Sequence, residues 1–181
     1  MASPSLNSTV IARLAQALYG FKIGNATMNE AVAAANAVGV GIDGLANALY
    51  ARDFGSKTNA DVAASVVKNL GITTAAQVTE ATAYVKGRLD GAAAGTKGAV
   101  IIDVTNLFSG LTTHAAYSSA ARAFNADIAS AVNYGQTGGT LDIDLGGGAF
   151  NIDSSTTGVM PCGELLELSL RDLPARGAGR E

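Results

Sequence analysis

Apolar residues recur at helical spacing along the first 134 residues of the chain. In the first segment they fall at Val10, Ile11, Leu14 and Leu18, which places them on one side of a helix. Glycines punctuate the pattern, and Ser, Thr, Asp or Asn residues precede most of the apolar runs, as is typical of helix ends. The pattern predicts seven helices, over about residues 9–19, 27–39, 43–53, 59–70, 74–89, 100–110 and 113–134.

Three of the predicted helices begin with side chains that can cap backbone N–H groups. Thr27 with Glu30, and Thr74 with Gln77, have the spacing of a capping box, in which two side chains satisfy each other's backbone amides. Asn59 is the predicted cap of the fourth helix. These residues fix where we expect the helices to start.

A six-residue phrase occurs twice in this pattern. Residues 14–19 read LAQALY, and residues 45–50 read LANALY, 31 positions later. Each copy is followed by a Phe, a Gly and a second Ala/Val-rich helix, which stops at Gly39 or Gly71. This period is typical of helix-pair repeats, in which each unit buries its apolar stripe against its neighbour. We therefore predict a mainly α fold, with helix-hairpin repeats packed as a compact helical domain.

Tyr19 and Tyr50 end the two copies of the phrase. Aromatic faces exposed at matched positions would suit a sugar-binding surface. Because the residue recurs with the repeat, the favoured interpretation is that both rings pack between the repeats, with each hydroxyl group at the rim.

The pattern changes after residue 134 and divides the chain into three parts. Residues 1–134 are the predicted helical repeat domain. Residues 135–153 are predicted to form a short β hairpin after a flexible Gly-rich joint, because Thr140–Leu145 alternates apolar and acidic residues. Residues 154–181 contain 7 charged residues in 28, against 20 in the preceding 153. Such a change in composition is typical of an appended or frame-shifted segment. We predict a poorly ordered tail there.

Composition limits the function classes that the chain can serve. Charged residues make up 15% of the chain and the net charge is −3, so we expect no clustered basic face that binds nucleic acid. The chain contains no run of about 18 apolar residues, so we expect no membrane-spanning helix. Met1–Asn7 lacks the basic and apolar regions of a classical secretory signal peptide.

The sequence offers few candidates for chemistry. Asp142, Asp144 and Asp153 lie on the predicted hairpin and are the candidate calcium ligands. The alternative is a solvated strand face, because Ca²⁺ needs ~6–8 oxygen ligands. His114, at the predicted start of the last helix, is the only histidine and Cys162 the only cysteine, and neither has a second ligand nearby in sequence. We therefore predict a non-enzymatic protein with no cofactor apart from this calcium.

Four stretches of the chain are similar to one group of proteins. They are the LAxALY phrase, residues 59–71, residues 104–111 and residues 123–134. Together they resemble the N-terminal helical regions of large bacterial S-layer and RTX-type surface proteins, which often carry DUF4214-like helical repeats. The resemblance extends over about residues 5–145.

The resemblance implies an exported surface protein. Such proteins leave the cell by type I secretion with an uncleaved C-terminal signal, which agrees with the missing N-terminal signal. Their helical part anchors the protein to envelope polysaccharide, while calcium-binding repeats build a lattice or stalk. Low charge and broad apolar faces also suit self-assembly between copies. We therefore expect a cell-surface or extracellular location, with envelope polysaccharide or further copies in a homo-oligomer as partners.

The chain departs from this group in one respect. Gly146–Asn151 contains glycines but not the G-G-x-G-x-D-x-U-x repeat, whose stacked copies bind calcium. We therefore do not extend the calcium lattice to this chain. Two alternative functions remain open, namely an N-terminal accessory domain of a larger secreted RTX enzyme or adhesin, and a cytosolic helical scaffold.

Overall fold

The computed structural model of the protein describes residues 6–37 and 39–137. Within these two ranges the chain forms seven α-helices, so the predicted mainly α class is confirmed. The helices are α1 (Leu6–Tyr19), α2 (Asn25–Asn36), α3 (Gly41–Phe54), α4 (Asn59–Asn69), α5 (Ala75–Asp90), α6 (Lys97–Gly110) and α7 (Ser118–Gln136).

Helix α1 lies at the centre of the fold. It contacts α2, α3, α4, α6 and α7. Its apolar side chains are almost fully covered by these neighbours, among them Leu14, Ala17 and Leu18 of the first repeated phrase. Small side chains along α1 let several helices approach it, so a chain with few large residues still forms one continuous core.

Helices α3 and α6 make one of the two most extensive helix contacts, which we call the α3–α6 seam. A Cβ atom added to Gly98, in the first turn of α6, would lie 2.1 Å from the backbone oxygen of Ala46. Beside it, the side-chain oxygen of Asn47 accepts a 2.9 Å hydrogen bond from the backbone N–H of Ala99. Glycine permits this approach, and Asn47 satisfies an N–H group that the start of α6 leaves free.

Helix α5 is peripheral and rests chiefly on α4. Its buried residues are Val85 and Leu89. The start of α4 is capped by Thr58, whose hydroxyl oxygen accepts a 3.1 Å hydrogen bond from the N–H of Asp61. The prediction of Asn59 as the cap was therefore wrong, because the hydroxyl group one residue earlier already satisfies that N–H.

The two copies of the repeated phrase lie on α1 and α3, as the pattern predicts. Their surroundings differ, because α1 is enclosed on several sides, whereas α3 packs chiefly against α6 and α4 chiefly against α5. The two repeat units do stack on each other, through α2 with α3 and α1 with α4, but α3 and α4 make few contacts with each other, so the second helix pair does not form as predicted. A later helix, α6, covers α3 in place of α4, and a sequence period cannot record such a long-range contact.

The two predicted capping boxes do not form. Helix α2 begins at Asn25, so Thr27 lies inside its first turn. Helix α5 does begin after Thr74, but the Thr74 side chain makes no capping hydrogen bond. Gln77 instead donates a 2.7 Å hydrogen bond to the backbone oxygen of Ala116. A contact with a distant part of the chain thus replaces the local one.

Glycine ends α1 and α4 where the pattern predicts it. Gly20 and Gly71 both have a φ of +75°, a left-handed conformation that favours glycine. Between the two ends, the side-chain amide of Asn69 donates a 3.0 Å hydrogen bond to the backbone oxygen of Ala17. The last residues of α4 therefore complete the end of α1.

Helix α7 starts later than predicted, at Ser118 and not at Thr113. The residues before it form turns, in which the backbone N–H of His114 donates to the oxygen of Leu111. The ring Nδ1 atom of His114 then accepts a 3.2 Å hydrogen bond from the N–H of Ala116. These bonds hold the backbone in a turn, so the predicted first helical turn does not form.

Helix α7 also ends later than predicted, at Gln136. Gly135 is therefore a buried helical residue and not the start of a flexible joint, and a Cβ atom there would lie 3.0 Å from the Met28 side chain. Asn25 donates a 2.8 Å hydrogen bond to the Gly135 oxygen, which fixes α7 to α2. The remainder of the predicted hairpin and the tail of residues 154–181 lie outside the described residues.

Candidate functional site

The residues predicted for metal binding lie beyond the described part of the chain. Asp142, Asp144, Asp153 and Cys162 all follow residue 137. Within residues 6–37 and 39–137, no group of three or more His, Cys, Asp or Glu side chains is placed to hold a metal ion. The calcium site therefore stays a prediction about residues outside those ranges.

His114 is exposed in the turn before α7 and not on the helix. Its ring lies against Tyr117, with 5.3 Å between the ring centroids. Its Nδ1 atom accepts the hydrogen bond from Ala116 described above. Both contacts shape the turn that leads Tyr117 into the core.

The two repeated tyrosines meet in one aromatic cluster. Tyr19 lies 5.4 Å from Phe54 and Tyr50 lies 5.9 Å from Phe54, measured between ring centroids, so the predicted packing of both rings is confirmed. The Tyr19 hydroxyl donates a 2.5 Å hydrogen bond to Asp53, and burial together with this carboxylate raises the pKa of Tyr19. The Tyr50 hydroxyl is buried without a partner among the described residues, so its predicted place at the rim was wrong.

The candidate site is an apolar depression between α5 and α6, which we call the α5–α6 groove. Its volume is about 190 Å³. An apolar cavity of ~150 Å³ is large enough to bind benzene, so the groove has room for one large apolar side chain. Its floor is formed by Ile72, Ala81, Val85, Val104, Phe108 and Leu111.

Two large apolar side chains stand at the mouth of this groove. Tyr84 on α5 is 43% exposed, and Leu107 on α6 is 50% exposed. In the described part of the chain these are the only two large apolar residues that are so exposed. Exposed apolar surface concentrated at one depression is typical of a binding surface.

Hydrogen bonds fix the rim of the groove. The Tyr117 hydroxyl donates to Glu80 at 2.9 Å, and Arg88 donates to the Tyr84 hydroxyl and to Asp103, each at 3.1 Å. The hydrogen bond to Tyr84 and the nearby Asp103 raise the pKa of Arg88, while burial and then Glu80 raise the pKa of Tyr117. The rim therefore has Glu80 at one end and the ion pair of Arg88 with Asp103 at the other.

The groove exists because α5 contacts α4 far more than it contacts α6. Val85 and Leu89 on α5 point toward the core and are buried. The side of α5 that carries Tyr84 is therefore only partly covered by a neighbouring helix. The loop that joins the two helices includes Gly95 at a φ of +78°. This connection lets α6 run back beside α5 without closing the space between them.

Sequence reasoning did not find this groove. Helical spacing groups Leu107 with the buried residues Val104 and Phe108, although neighbouring residues in a helix point about 100° apart. Leu107 therefore widens the apolar face of α6 beyond what one packing partner covers. An apolar face wider than one neighbouring helix covers, together with an aromatic residue on the adjacent helix, is the sequence feature that indicates a groove here.

A larger and more polar depression lies between α1, α2 and α7. Its volume is about 880 Å³, and its lining includes Arg13, Asn29 and Asn133. Ser8 and Thr137, close to the two limits of the described chain, also line it. Because its lining extends to positions close in sequence to the limits of the described ranges, we place no site there.

Two properties of the whole described chain complete the description. No single helix within it is long and apolar enough to cross a membrane, whereas α2 and α3 together, bent by 118°, meet the same criteria of length and composition. The chain matches no protein-family model, no curated protein and no solved structure.

Proposed function

We propose that this chain is a non-enzymatic contact domain of a bacterial surface protein, which uses the α5–α6 groove to hold a protein partner. The observation that carries the proposal is the coincidence of the groove with the two exposed apolar side chains, Tyr84 and Leu107. The resemblance to S-layer and RTX-type proteins supports the location at the cell surface. The low charge of the chain supports an apolar contact.

The size of the groove agrees with one anchoring side chain. Protein interfaces depend on a few apolar or aromatic residues that fill pockets, surrounded by polar contacts at the rim. Here the floor is apolar, Glu80 lines the groove, and the Arg88–Asp103 pair adjoins it through the hydrogen bond from Arg88 to the Tyr84 hydroxyl. The arrangement therefore suits a partner that inserts an apolar side chain and places polar groups at both ends.

The test is binding of the full chain to purified cell envelopes, measured by co-sedimentation. Leu107→Ser should weaken binding about fivefold, because burying the exposed half of a leucine side chain contributes roughly 1 kcal/mol. Ala126→Ser, which changes an exposed residue on α7, is the matched control and should bind like the wild type. Equal binding by Leu107→Ser and the control would overturn the proposal.

Envelope polysaccharide is the competing partner, and a second measurement separates it from protein. The same variants are titrated with purified envelope polysaccharide that is free of protein. Binding of the polysaccharide that Leu107→Ser leaves unchanged would show that anchoring uses another face and would contradict the role of the groove. Absence of binding to the polysaccharide, with binding to whole envelopes retained, would support a protein partner.

A further inference from the structure

One face of α5 carries three exposed residues at intervals of four. Glu80, Tyr84 and Arg88 follow one another at successive turns of one side of the helix, and Glu80 and Tyr84 line the groove. Positions four apart lie on the same face and about 6 Å apart along the axis, so Glu80 and Arg88 are about 12 Å apart with Tyr84 midway. We call these three residues the α5 stripe. It has Glu80 at one end, Tyr84 in the middle and, at the other end, Arg88, which forms a 3.1 Å ion pair with Asp103 of α6.

The described contacts of the α5 stripe hold its side chains in place and leave capacity for more. Glu80 accepts the Tyr117 hydrogen bond through one carboxylate oxygen, Oε2. Arg88 uses one N–H of Nη1 for Tyr84 and one of Nη2 for Asp103. A carboxylate has two oxygens and a guanidinium group has five N–H donors, so both ends can take a further partner.

We propose that the partner of the groove is a second copy of the same chain, paired through the α5 stripe about a two-fold axis that passes beside Tyr84. A two-fold interface joins identical patches, so the patch must complement itself. With the two α5 helices antiparallel, Glu80 of each copy faces Arg88 of the other, and the two Tyr84 rings meet at the axis. Parallel helices would place like charges opposite each other, which is unfavourable.

Leu107 extends the apolar part of the proposed contact. It lies beside Tyr84 at the mouth of the groove, so the two-fold axis brings two tyrosines and two leucines together. The proposal thus rests on the proposed function, because it names the partner that the groove holds. It also specifies how the two copies are oriented relative to each other, which the groove alone does not.

The area of this face predicts a weak dimer. Helix α5 has 16 residues, so it is about 24 Å long, and with α6 beside it the face is about 20 Å wide. This is roughly 480 Å² in projection, below the ~800 Å² per partner of a standard stable interface. We therefore expect the dimer at high protein concentration and where copies are held close together, as on a cell surface.

The first experiment is sedimentation equilibrium of the full chain from about 1 to about 500 µM, a range that includes weak interfaces. The wild type should dimerise within this range. Glu80→Arg should weaken dimerisation at least tenfold, because it places Arg opposite Arg, and adding Arg88→Glu should restore it by exchanging the two charges. Glu30→Arg, an exposed charge reversal on α2, is the matched control and should leave dimerisation unchanged.

The second experiment fixes the orientation by disulfide formation in a Cys162→Ser background. In the antiparallel arrangement a mixture of Glu80→Cys and Arg88→Cys chains should cross-link, whereas Glu80→Cys chains alone should not. Two cysteines can bridge only when their Cα atoms are within about 7 Å, and positions 80 of the two copies would be at least about 12 Å apart. Rapid cross-linking of Glu80→Cys alone would overturn the antiparallel arrangement.

The outcomes separate the two proposals. A chain that stays monomeric at the highest concentration, while Leu107→Ser still reduces envelope binding, overturns the two-fold pairing and leaves the groove with a different protein partner. A dimer that persists unchanged in Glu80→Arg overturns the pairing as well. Envelope binding that is indifferent to Leu107→Ser overturns the function of the groove itself. Circular dichroism and a thermal melt of each variant exclude unfolding as the cause.

Discussion

Helix α6 has two very different neighbours. On one side its first turn touches the backbone of α3, and Gly98 leaves no space even for one methyl group. On the other side its middle faces α5 across the groove, and Leu107 remains half exposed. The same helix thus contributes to the closest packing of the described chain and to an open apolar surface. The α3–α6 seam therefore maintains the fold, while the groove is available for binding.

Gly98→Ala gives the strongest test of this contrast. We expect it to lower the free energy of unfolding by about 3 kcal/mol or more, because the added Cβ overlaps the backbone of α3, which cannot move aside as a side chain can. The measurement is equilibrium unfolding in urea. Gly87→Ala in α5 is the control, since nothing lies within 4 Å of its added Cβ, and it should stabilise by roughly 0.5–1 kcal/mol. Equal stability of the two variants would show that the seam is not closely packed.

Leu89→Ala and Tyr84→Ala compare the two sides of α5. Leu89 is fully buried, so its truncation should cost about 2–3 kcal/mol, at the lower end for leucine because a peripheral helix can move to fill the space. Tyr84→Ala should change stability by less than about 1 kcal/mol because its ring lies at the groove mouth. Urea unfolding measures both variants. A large loss in Tyr84→Ala would mean that its ring is part of the core and that the groove is closed.

Asn47→Ala tests the polar part of the α3–α6 seam. It removes the acceptor of the Ala99 N–H at the start of α6 and should cost about 1 kcal/mol. Asn133→Ala, on an exposed position of α7, is the matched control and should stay within about 0.5 kcal/mol of the wild type. Thermal unfolding resolves this difference. A loss no larger than that of the control would mean that water replaces Asn47 without cost.

The smallest effect concerns pH at the groove rim. Burial and then Glu80 raise the pKa of Tyr117 in the folded protein above its unfolded value of about 10. Tyr117 therefore contributes stability fully below about pH 10, and this contribution is lost as pH rises through the folded pKa. Urea unfolding between about pH 8 and pH 11 should show the decline, and Tyr117→Phe should reduce its slope. The pKa of Tyr19 is also raised in the folded protein, so Tyr19→Phe is measured as well. An unchanged slope in Tyr117→Phe would contradict the prediction.

Local patterns were sufficient to predict the helices and several of their ends. The 3.6-residue period of apolar side chains locates all seven helices, because each must bury one face. Gly20 and Gly71 mark two helix ends correctly, because a left-handed residue there requires glycine or a strained alternative. These features depend on neighbours within one or two turns, which the sequence records directly.

Contacts between distant residues were not predictable in the same way. Gln77 has the spacing of a capping box yet donates to Ala116, and His114 ends a turn where the pattern predicts a helix. The groove also depends on how far α5 stands from α6, which the periodicity of neither helix specifies. The helix positions could therefore be read from one chain, whereas the site required the arrangement of the helices in space.

The central position of α1 has a consequence for the protein during its synthesis. Helix α1 is synthesised before the other described helices, and α7, which covers one of its sides, ends at Gln136, more than one hundred residues later. At about 5–20 residues per second, Leu14 and Leu18 wait about 6–24 s for their last neighbour. The nascent chain therefore presents α1 without its final cover until α7 has been synthesised.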